Sequence, residues 1–386
     1  MKLYSLGVLV ATALFCGEHA FAFQRGQVLS ALPRTSRQAE ILQNVTTTFT
    51  IVLWQPVTAE YIVKGYEVHF FVNASDVSNV KVHLNVSGIL FRVLVENVED
   101  LIRQQTSNDT ISPRASSSYY EQYHSLNEIY SWIEVMTERY PDMVEKIHIG
   151  SSYEKYPLYV LKVSKKEQRA KNAMWIDCGI HAREWISPAF CLWFVGSDRM
   201  WRKNRSLHEK NACIGTDLNR NFASKHWCGE GASSHSCSEI YCGTYPESEP
   251  EVKAVADFLR RNIKHIKAYI SMHSYSQKIV FPYSYSRSRS KDHEELSLVA
   301  RQAVYAMENI HRNIRYTHGS GSESLYLAPG GSDDWIYDLG IKYSFTIELR
   351  DKGKYGFLLP ESYIRPTCSE ALVAVAKIAS HVVRNV

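Results

Sequence analysis

The sequence predicts a two-domain protein: a small α+β unit, followed by a larger α/β domain. The larger domain is predicted to contain a mixed, largely parallel twisted sheet with helices on both faces. Length and composition support a folded chain, because 386 residues suffice for two domains and 45% hydrophobic with 22% charged residues is typical of globular proteins. Short β-rich runs fill the sequence up to about residue 110. Beyond that point, apolar strand-like runs alternate with helical patterns.

Residues 1–22 are predicted to form a secretion signal peptide. Lys2 precedes an apolar run from Leu6 to Phe15, and Ala20-Phe21-Ala22 matches a small-x-small cleavage site. A membrane-spanning helix needs about 20 apolar residues, which this run does not reach. The net charge of +4 is not gathered into basic blocks, so neither nucleic acid nor a membrane is an expected partner. We therefore expect a secreted, extracellular protein.

The α+β unit is predicted to contain strands at Phe49–Leu53, Val68–Val72 and Phe91–Val95. In a secreted chain, its four N-x-[ST] sequons predict glycans at Asn44, Asn73, Asn85 and Asn108.

A polar linker follows the α+β unit, from Ser107 to Ser118. It contains Pro113-Arg114, and an exposed arginine in a flexible loop is a good site for a trypsin-like protease. The alternative is an ordinary linker arginine. The position between two domains favours cleavage, which gives an N-terminal segment of residues 23–114 and a second domain of residues 115–386.

The second domain is predicted to begin with a helix capped by Ser125 and Glu128. The patterns predict strands at Leu158–Val163, Met174–Ile176, Ala268–Met272 and Tyr343–Leu349, and helices at Pro188–Val195, Glu249–Ile263 and Glu294–Ile310. In such a sheet, ligands bind at the carboxyl ends of the strands.

Two of these strand ends carry potential metal ligands. His181 and Glu184 follow one strand and His273 ends another, and two histidines with one carboxylate suit a catalytic zinc that keeps a position open for water. The alternative is a surface His beside a surface Glu. Glu348 lies in an apolar strand and is a candidate base, the alternative being a buried ion pair with Arg350 or another cation.

Seven cysteines remain after the predicted leader. Secretion favours disulfides among them, and the odd number leaves at least one thiol unpaired. A zinc knuckle formed by Cys228, Cys237 and Cys242 is the less favoured alternative, because their spacing contains no C-x-x-C pair.

Six ordered motifs carry a family resemblance. They are His-Ala-Arg-Glu-Trp, Trp-Arg-Lys-Asn-Arg, Asp-Leu-Asn-Arg-Asn-Phe, Met-His-Ser-Tyr, Ala-Pro-Gly-Gly-Ser-Asp-Asp-Trp and Phe-Thr-Ile-Glu-Leu-Arg-Asp. Together they resemble the pancreatic-type zinc metallocarboxypeptidases over nearly the whole chain. The resemblance implies the zinc carboxypeptidase fold, preceded by a ferredoxin-like pro-domain.

The resemblance also implies roles for individual residues. It makes His181, Glu184 and His273 the ligands of one Zn²⁺, Glu348 the general base and Arg205 the group that polarises the scissile carbonyl. The substrate-binding residues would be Arg183, Asn219, Arg220, Tyr275, Tyr326 and Asp333. Asp333 would lie on the floor of the specificity pocket and select Lys or Arg, whereas the residues alone favour a solvated loop Asp like Asp334.

By the same resemblance, residues 23–114 form an activation segment that thrombin, plasmin or trypsin removes by cleavage after Arg114. Substrates would be peptides and proteins with a C-terminal Lys or Arg, such as partially degraded fibrin, kinins and anaphylatoxin-like peptides. The implied disulfides are Cys178–Cys191, Cys213–Cys237 and Cys228–Cys242, with Cys368 left as a thiol. A sequon at Asn204 adjoins Arg205 in one motif, so glycosylation is not expected there.

The chain departs from the family pattern after Gly196. Only Val195 to Met200 separate the predicted helix from the Trp-Arg-Lys-Asn-Arg motif, where the family has several tens of residues. The sequence is therefore internally shortened near residues 196–199. The absent segment normally completes the helix and supplies an interior strand, so a catalytically impaired form of the enzyme is the alternative function.

Overall fold

A computed structural model describes residues 7–10, 26–106, 117–164, 172–192, 200–208, 213–311 and 313–386. The chain divides into two compact units. The N-terminal unit contains residues 17–109 and 351–360, and the C-terminal unit contains residues 1–16, 110–350 and 361–386. Arg114, Asn108 and the predicted shortening at 196–199 lie outside the described residues.

The described residues form twelve strands. They are β1 (Gly7–Val10), β2 (Gln27–Leu32), β3 (Ile51–Gln55), β4 (Val68–Val72), β5 (Leu90–Val95), β6 (Val144–Ser151), β7 (Pro157–Val163), β8 (Ala173–Cys178), β9 (Ile266–His273), β10 (Lys278–Phe281), β11 (Thr317–Ser320) and β12 (Tyr343–Glu348).

Ten α-helices accompany these strands in the same part of the chain. They are α1 (Ser36–Thr48), α2 (Val77–Val86), α3 (Val98–Thr106), α4 (Leu126–Arg139), α5 (Ile186–Leu192), α6 (Pro250–Asn262), α7 (His293–Ile310), α8 (Gly321–Ser324), α9 (Ser332–Asp338) and α10 (Ile364–Asn385). No helix among the described residues combines the length and apolar character needed to cross a membrane.

The C-terminal unit has the predicted α/β architecture. Its main sheet has the strand order β11-β10-β12-β9-β8, in which β8, β9 and β12 run parallel and β10 pairs antiparallel with β12. A second, antiparallel sheet has the order β1-β7-β6. The main sheet is thus mixed, with its parallel part at β8, β9 and β12, whose carboxyl ends meet at one edge.

Helices pack on this framework through the predicted apolar stripes. Val252 and Leu259 of α6 are buried against Trp175 of β8 and Tyr269 of β9. The predicted capping box of α4 is confirmed, because the Ser125 side chain accepts from the backbone of Glu128 and the Glu128 carboxylate accepts from the backbone of Ser125.

The N-terminal unit is the predicted α+β fold. Its antiparallel sheet has the order β3-β4-β2-β5, and α1 and α2 contribute Leu42 and Leu84 to a core that includes Phe70. Residues 351–360 cluster with this unit rather than with their chain neighbours. The Gln105 amide donates to the carbonyls of Leu358 and Leu359 at 3.0 Å each, and the rings of Trp54 and Phe357 lie 5.3 Å apart.

The three implied disulfides are confirmed: Cys178–Cys191, Cys213–Cys237 and Cys228–Cys242, while Cys368 is a free thiol. The zinc-knuckle alternative is therefore wrong.

The asparagines of the sequons differ in solvent exposure. Asn44 and Asn85 are exposed and Asn73 is half-buried, whereas Asn204 is buried and its amide donates to Glu249 at 2.7 Å. The expectation that Asn204 does not carry a glycan agrees with this burial.

Candidate active site

The site lies where three neighbouring strands end. After β8, the chain turns at Gly179, whose φ of 77° is a left-handed conformation that favours glycine, and enters α5 past His181 and Glu184. His273 is the last residue of β9 and Glu348 the last residue of β12, and the two are register partners. The topology therefore brings together four predicted site residues from distant parts of the sequence.

His181, Glu184 and His273 form a buried cluster. Their potential ligand atoms all lie within 4.8 Å of one another. Oε1 of Glu184 is 2.7 Å from Nδ1 of His181, and Oε2 is 3.0 Å from Nδ1 of His273. Two imidazole nitrogens thus converge on the two oxygens of one carboxylate, and this donor set fits zinc.

The electrostatics of the cluster fit a cation. Burial alone would raise the pKa of Glu184, but His181 and His273 outweigh it and hold this pKa below its ordinary value. Burial favours neutral His273, but Glu184 outweighs it and raises the His273 pKa to about 9. The cluster therefore stabilises positive charge, and a divalent cation would replace the histidine protons in that role.

A carboxylate that the sequence analysis missed holds His181 in place. Oδ1 of Asp217 lies 2.9 Å from Nε2 of His181, on the opposite side of the ring from Glu184. This contact favours a proton on Nε2 and leaves Nδ1 free to bind a metal. Asp217 directly precedes the Leu218-Asn219-Arg220 turn, and this place within a substrate-binding motif is the signal that could have revealed it.

The structure places Arg202 beside the ligand cluster. Arg202 is buried, and its Nη1 lies 3.4 Å from Nδ1 of His181 and 3.9 Å from Oε1 of Glu184. Its Nε and Nη2 donate to Oδ2 of Asp217 at 3.1 and 2.7 Å, which fixes the guanidinium. The guanidinium of Arg205 instead stacks on the ring of Trp201 at 3.9 Å. The resemblance assigns polarisation of the carbonyl to Arg205, and these contacts make Arg202, three residues earlier, a second candidate for that role.

Glu348 is half-buried at the end of β12. Burial and the nearby Glu184 carboxylate raise its pKa to about 7, against the opposing effect of His273. The alternative of a Glu348–Arg350 ion pair is not supported, because Arg350 is bound by both carboxylate oxygens of Glu370. A carboxyl with a pKa near neutrality beside a metal cluster is suited to proton transfer.

The residues predicted to hold a terminal carboxylate adjoin the cluster. Asn219 and Arg220 lie in the turn after Asp217, whose Oδ1 accepts from the Asn219 backbone at 3.0 Å. The guanidinium of Arg220 lies 5.7 Å from the Tyr326 ring centre. Tyr275 and Arg183 are both buried, and Arg183 has no exposed surface.

Asp333 is buried at the start of α9. Its Oδ2 contacts the hydroxyls of Thr346 at 3.3 Å and Ser284 at 3.4 Å, and burial raises its pKa. Asp334 is also buried and accepts from the backbones of Ser284 and Tyr285. Neither residue is a solvated loop aspartate. Asp333 differs from its neighbour in having long, weak hydroxyl contacts at Oδ2.

Comparisons with known proteins agree with this geometry. The zinc carboxypeptidase family model matches residues 129–197 and 195–374, and the carboxypeptidase activation peptide model matches residues 29–105. Carboxypeptidase B2 of Bos taurus is 88% identical, with 100% of both chains covered. The crystal structure of thrombin activatable fibrinolysis inhibitor is 86% identical, with a TM-score of 0.92, and covers 94% of this chain and 100% of that one.

A second structure is bovine thrombin-activatable fibrinolysis inhibitor in complex with tick carboxypeptidase inhibitor. It is 84% identical, has a TM-score of 0.67 and covers 69% of this chain and 100% of that one. The alignment with the bovine relative spans 423 positions, 37 more than this chain has, and the family match is divided at residues 195–197. This agrees with the predicted internal shortening. The chain belongs to the zinc carboxypeptidase family and carries that family's activation peptide in its N-terminal part.

Proposed function

We propose that this chain, cleaved after Arg114, hydrolyses C-terminal arginine or lysine from peptides and proteins. The observation that carries the proposal is the buried His181–Glu184–His273 cluster, with Glu348 at the adjoining strand end. The similarity to proteins named carboxypeptidase B2 supports the preference for basic residues.

One Zn²⁺ would be held by Nδ1 of His181, Nδ1 of His273 and the carboxylate of Glu184. When bound, it would polarise the scissile carbonyl and make an attacking water more acidic. Asp217 keeps His181 oriented through the hydrogen bond at 2.9 Å. Glu348 accepts the proton of the attacking water and then donates it to the leaving amine.

Negative charge develops on the scissile carbonyl oxygen in the transition state, and we assign its stabilisation to Arg202. Its Nη1 faces the ligand cluster, while its other nitrogens are anchored on Asp217. A guanidinium fixed in this way needs no reorganisation as the charge forms.

We expect Arg202→Ala to lower kcat by about 10²–10³-fold, because it removes a fixed donor from the developing oxyanion. Arg205→Ala is the matched control, and we expect less than about a tenfold change, because its stacking partner Trp201 lies outside the cluster. Steady-state kinetics with zinc content and thermal unfolding would separate chemistry from folding. A larger loss for Arg205→Ala than for Arg202→Ala would restore the assignment to Arg205.

Asn219, Arg220 and Tyr326 are proposed to bind the free carboxylate of the substrate. A planar guanidinium can donate two parallel hydrogen bonds to a carboxylate, which an exopeptidase needs in order to recognise a chain end. Tyr275 and Arg183 are proposed to line the substrate cleft.

Asp333 is proposed to select the side chain of the terminal residue. A buried carboxylate whose Oδ2 makes only long contacts to hydroxyl side chains gains most from a substrate that brings a positive charge.

We expect Asp333→Ile to reduce kcat/KM for a C-terminal Arg substrate by about 10²–10³-fold, because the buried charge pair is lost. Activity towards a C-terminal Phe substrate should be retained or increased. The ratio of kcat/KM for the two peptides measures specificity and is independent of the amount of folded enzyme. An unchanged ratio would exclude Asp333 as the specificity residue.

We also propose how the chain is processed, what activates it and where it acts. Residues 1–22 direct secretion, residues 23–114 are the activation segment and residues 115–386 are the enzyme, with glycans at Asn44, Asn73, Asn85 and Asn108. The similar structure is named thrombin activatable fibrinolysis inhibitor, and this name supports thrombin as the activating protease. Plasmin and trypsin are further candidates. Partially degraded fibrin, kinins and anaphylatoxins are the proposed substrates in plasma, so that activity would slow fibrinolysis.

The proposal is tested by treating the purified chain with thrombin or trypsin and measuring release of Lys or Arg from a peptide with a basic C-terminus. We expect release after cleavage, and its loss on addition of a zinc chelator. The second candidate function is that of a catalytically impaired form. It is favoured by the length of the bovine alignment, which has 37 positions more than this chain. Cleavage at Arg114 without any turnover would support this second candidate.

A further inference from the structure

A strand-sized gap separates the two sheets of the C-terminal unit. β7 pairs with β6 along one edge and β8 pairs with β9 along one edge, but among the described strands no ladder joins β7 to β8. The second edge of β7 is instead paired antiparallel with β1, from Gly7 opposite Lys162 to Val10 opposite Tyr159. β1 also packs beside β8.

The strands on both sides of the gap have the composition of interior strands. Leu158, Val160 and Leu161 of β7 are buried, as are Met174 to Cys178 of β8. Their free backbone edges would carry N–H and C=O groups that need partners, and leaving such groups unpaired in a buried place is costly. An open apolar edge also attracts other strands.

The gap coincides with the place where the chain is shorter than its relatives. The family match is divided at residues 195–197, directly after α5, and α5 packs against β8 and β1. The bovine relative has 37 additional positions. A segment long enough for a strand is therefore absent at the point in the chain that follows α5.

The Gly-Val-Leu-Val sequence of β1 suits an interior strand. It is uncharged and contains two β-branched residues, so both of its faces tolerate burial. β1 covers only residues 159–162 of β7. Just beyond its end, Leu158 lines a cavity of about 30 Å³ together with Cys178 and Val252. β1 thus covers four of the seven residues of β7.

We propose that residues 7–10 take the place of the absent interior strand along the β7 edge, beside β8. The same residues lie in the predicted secretion leader, so removal of the leader opens the gap between β7 and β8. In a leader-containing chain β1 covers the β7 edge, and a processed chain presents that edge. This inference concerns the sheet and does not depend on catalytic activity.

The test compares backbone hydrogen exchange, read by mass spectrometry, in the full 386-residue chain and in a chain that begins at Phe23. We expect amides of residues 159–162 to exchange at least about tenfold more slowly in the full chain, because β1 protects them. A full-length Val8→Pro/Leu9→Pro variant should lose this protection, because proline cannot donate to a ladder. Leu14→Pro is the matched control outside β1 and should keep it.

A synthetic peptide of residues 5–12 added to the shorter chain should slow exchange in residues 159–162, whereas a scrambled peptide should not. Equal exchange in the full and shorter monomers would overturn the proposal. The shorter chain could also be protected only where sedimentation shows concentration-dependent dimerisation. That result would mean that a second copy of the chain covers the β7 edge, and it would also overturn the proposal. Exchange is measured with a zinc chelator present, so failure here is distinguishable from failure of the proposed peptidase activity.

Discussion

Glu184→Ala is expected to abolish zinc binding and peptidase activity together. Glu184 places one carboxylate oxygen 2.7 Å from His181 and the other 3.0 Å from His273, and its loss leaves two buried imidazoles with no anionic group between them. We expect zinc affinity to fall by more than about 100-fold. Activity should fall by roughly 10³-fold or more, because the metal contributes several kcal/mol to transition-state stabilisation.

The measurements are zinc content per chain after dialysis and kcat/KM after cleavage at Arg114. Glu294→Ala is a matched control, since Glu294 is an exposed residue paired with exposed Arg289. Full zinc content in the Glu184→Ala protein would show that the metal is held elsewhere.

Glu348→Gln is expected to remove most activity while leaving zinc content unchanged. Glutamine keeps the size of the side chain but cannot accept a proton from water, so we expect kcat/KM to fall by about 10²–10⁴-fold. Because Glu348 is not one of the three ligands, a parallel loss of zinc would contradict its assignment as the base.

The pH dependence of the active form should report the same group. Glu348 acts as a base only when ionised, and its pKa is raised to about 7 by burial and by Glu184. Activity should therefore be present above this pKa and be lost as the pH falls through it. A bound divalent cation stabilises the carboxylate, so the midpoint should lie at or below 7. The residual activity of Glu348→Gln should lack this acidic limb.

Sequence patterns located the site because its ligands sit at strand ends. Apolar runs predicted β4 from Val68 to Val72 without error, and they predicted β9 and β12 to within two residues. Since parallel strands end at one edge, the strand pattern predicted that His273 lies near His181, whereas the role of Glu348 depended on the family resemblance. The short strands β10 and β11 were not predicted, because four residues give too little periodicity to identify a strand.

The sequence pattern does not distinguish Arg202 from Arg205 as the arginine nearest the ligand cluster. Residues 201–206 form no helix or strand, so no periodicity indicates which arginine of Trp-Arg-Lys-Asn-Arg faces inward. The position of Arg202 depends on a long-range contact, because Asp217 binds its guanidinium. β1 was missed for a related reason: an apolar run inside a leader pattern gives no indication of a later strand partner.

The ten-residue segment 351–360 of the C-terminal sequence is part of the N-terminal unit, held there by Gln105 and Trp54. The proposed cleavage after Arg114 would cut the covalent connection but leave these noncovalent contacts intact. The immediate product should therefore be a nicked complex, and full activation should require a separate dissociation step. The onset of peptidase activity would then lag behind peptide-bond cleavage. Because dissociation is a first-order step, this lag would depend on temperature and not on the amount of activating protease.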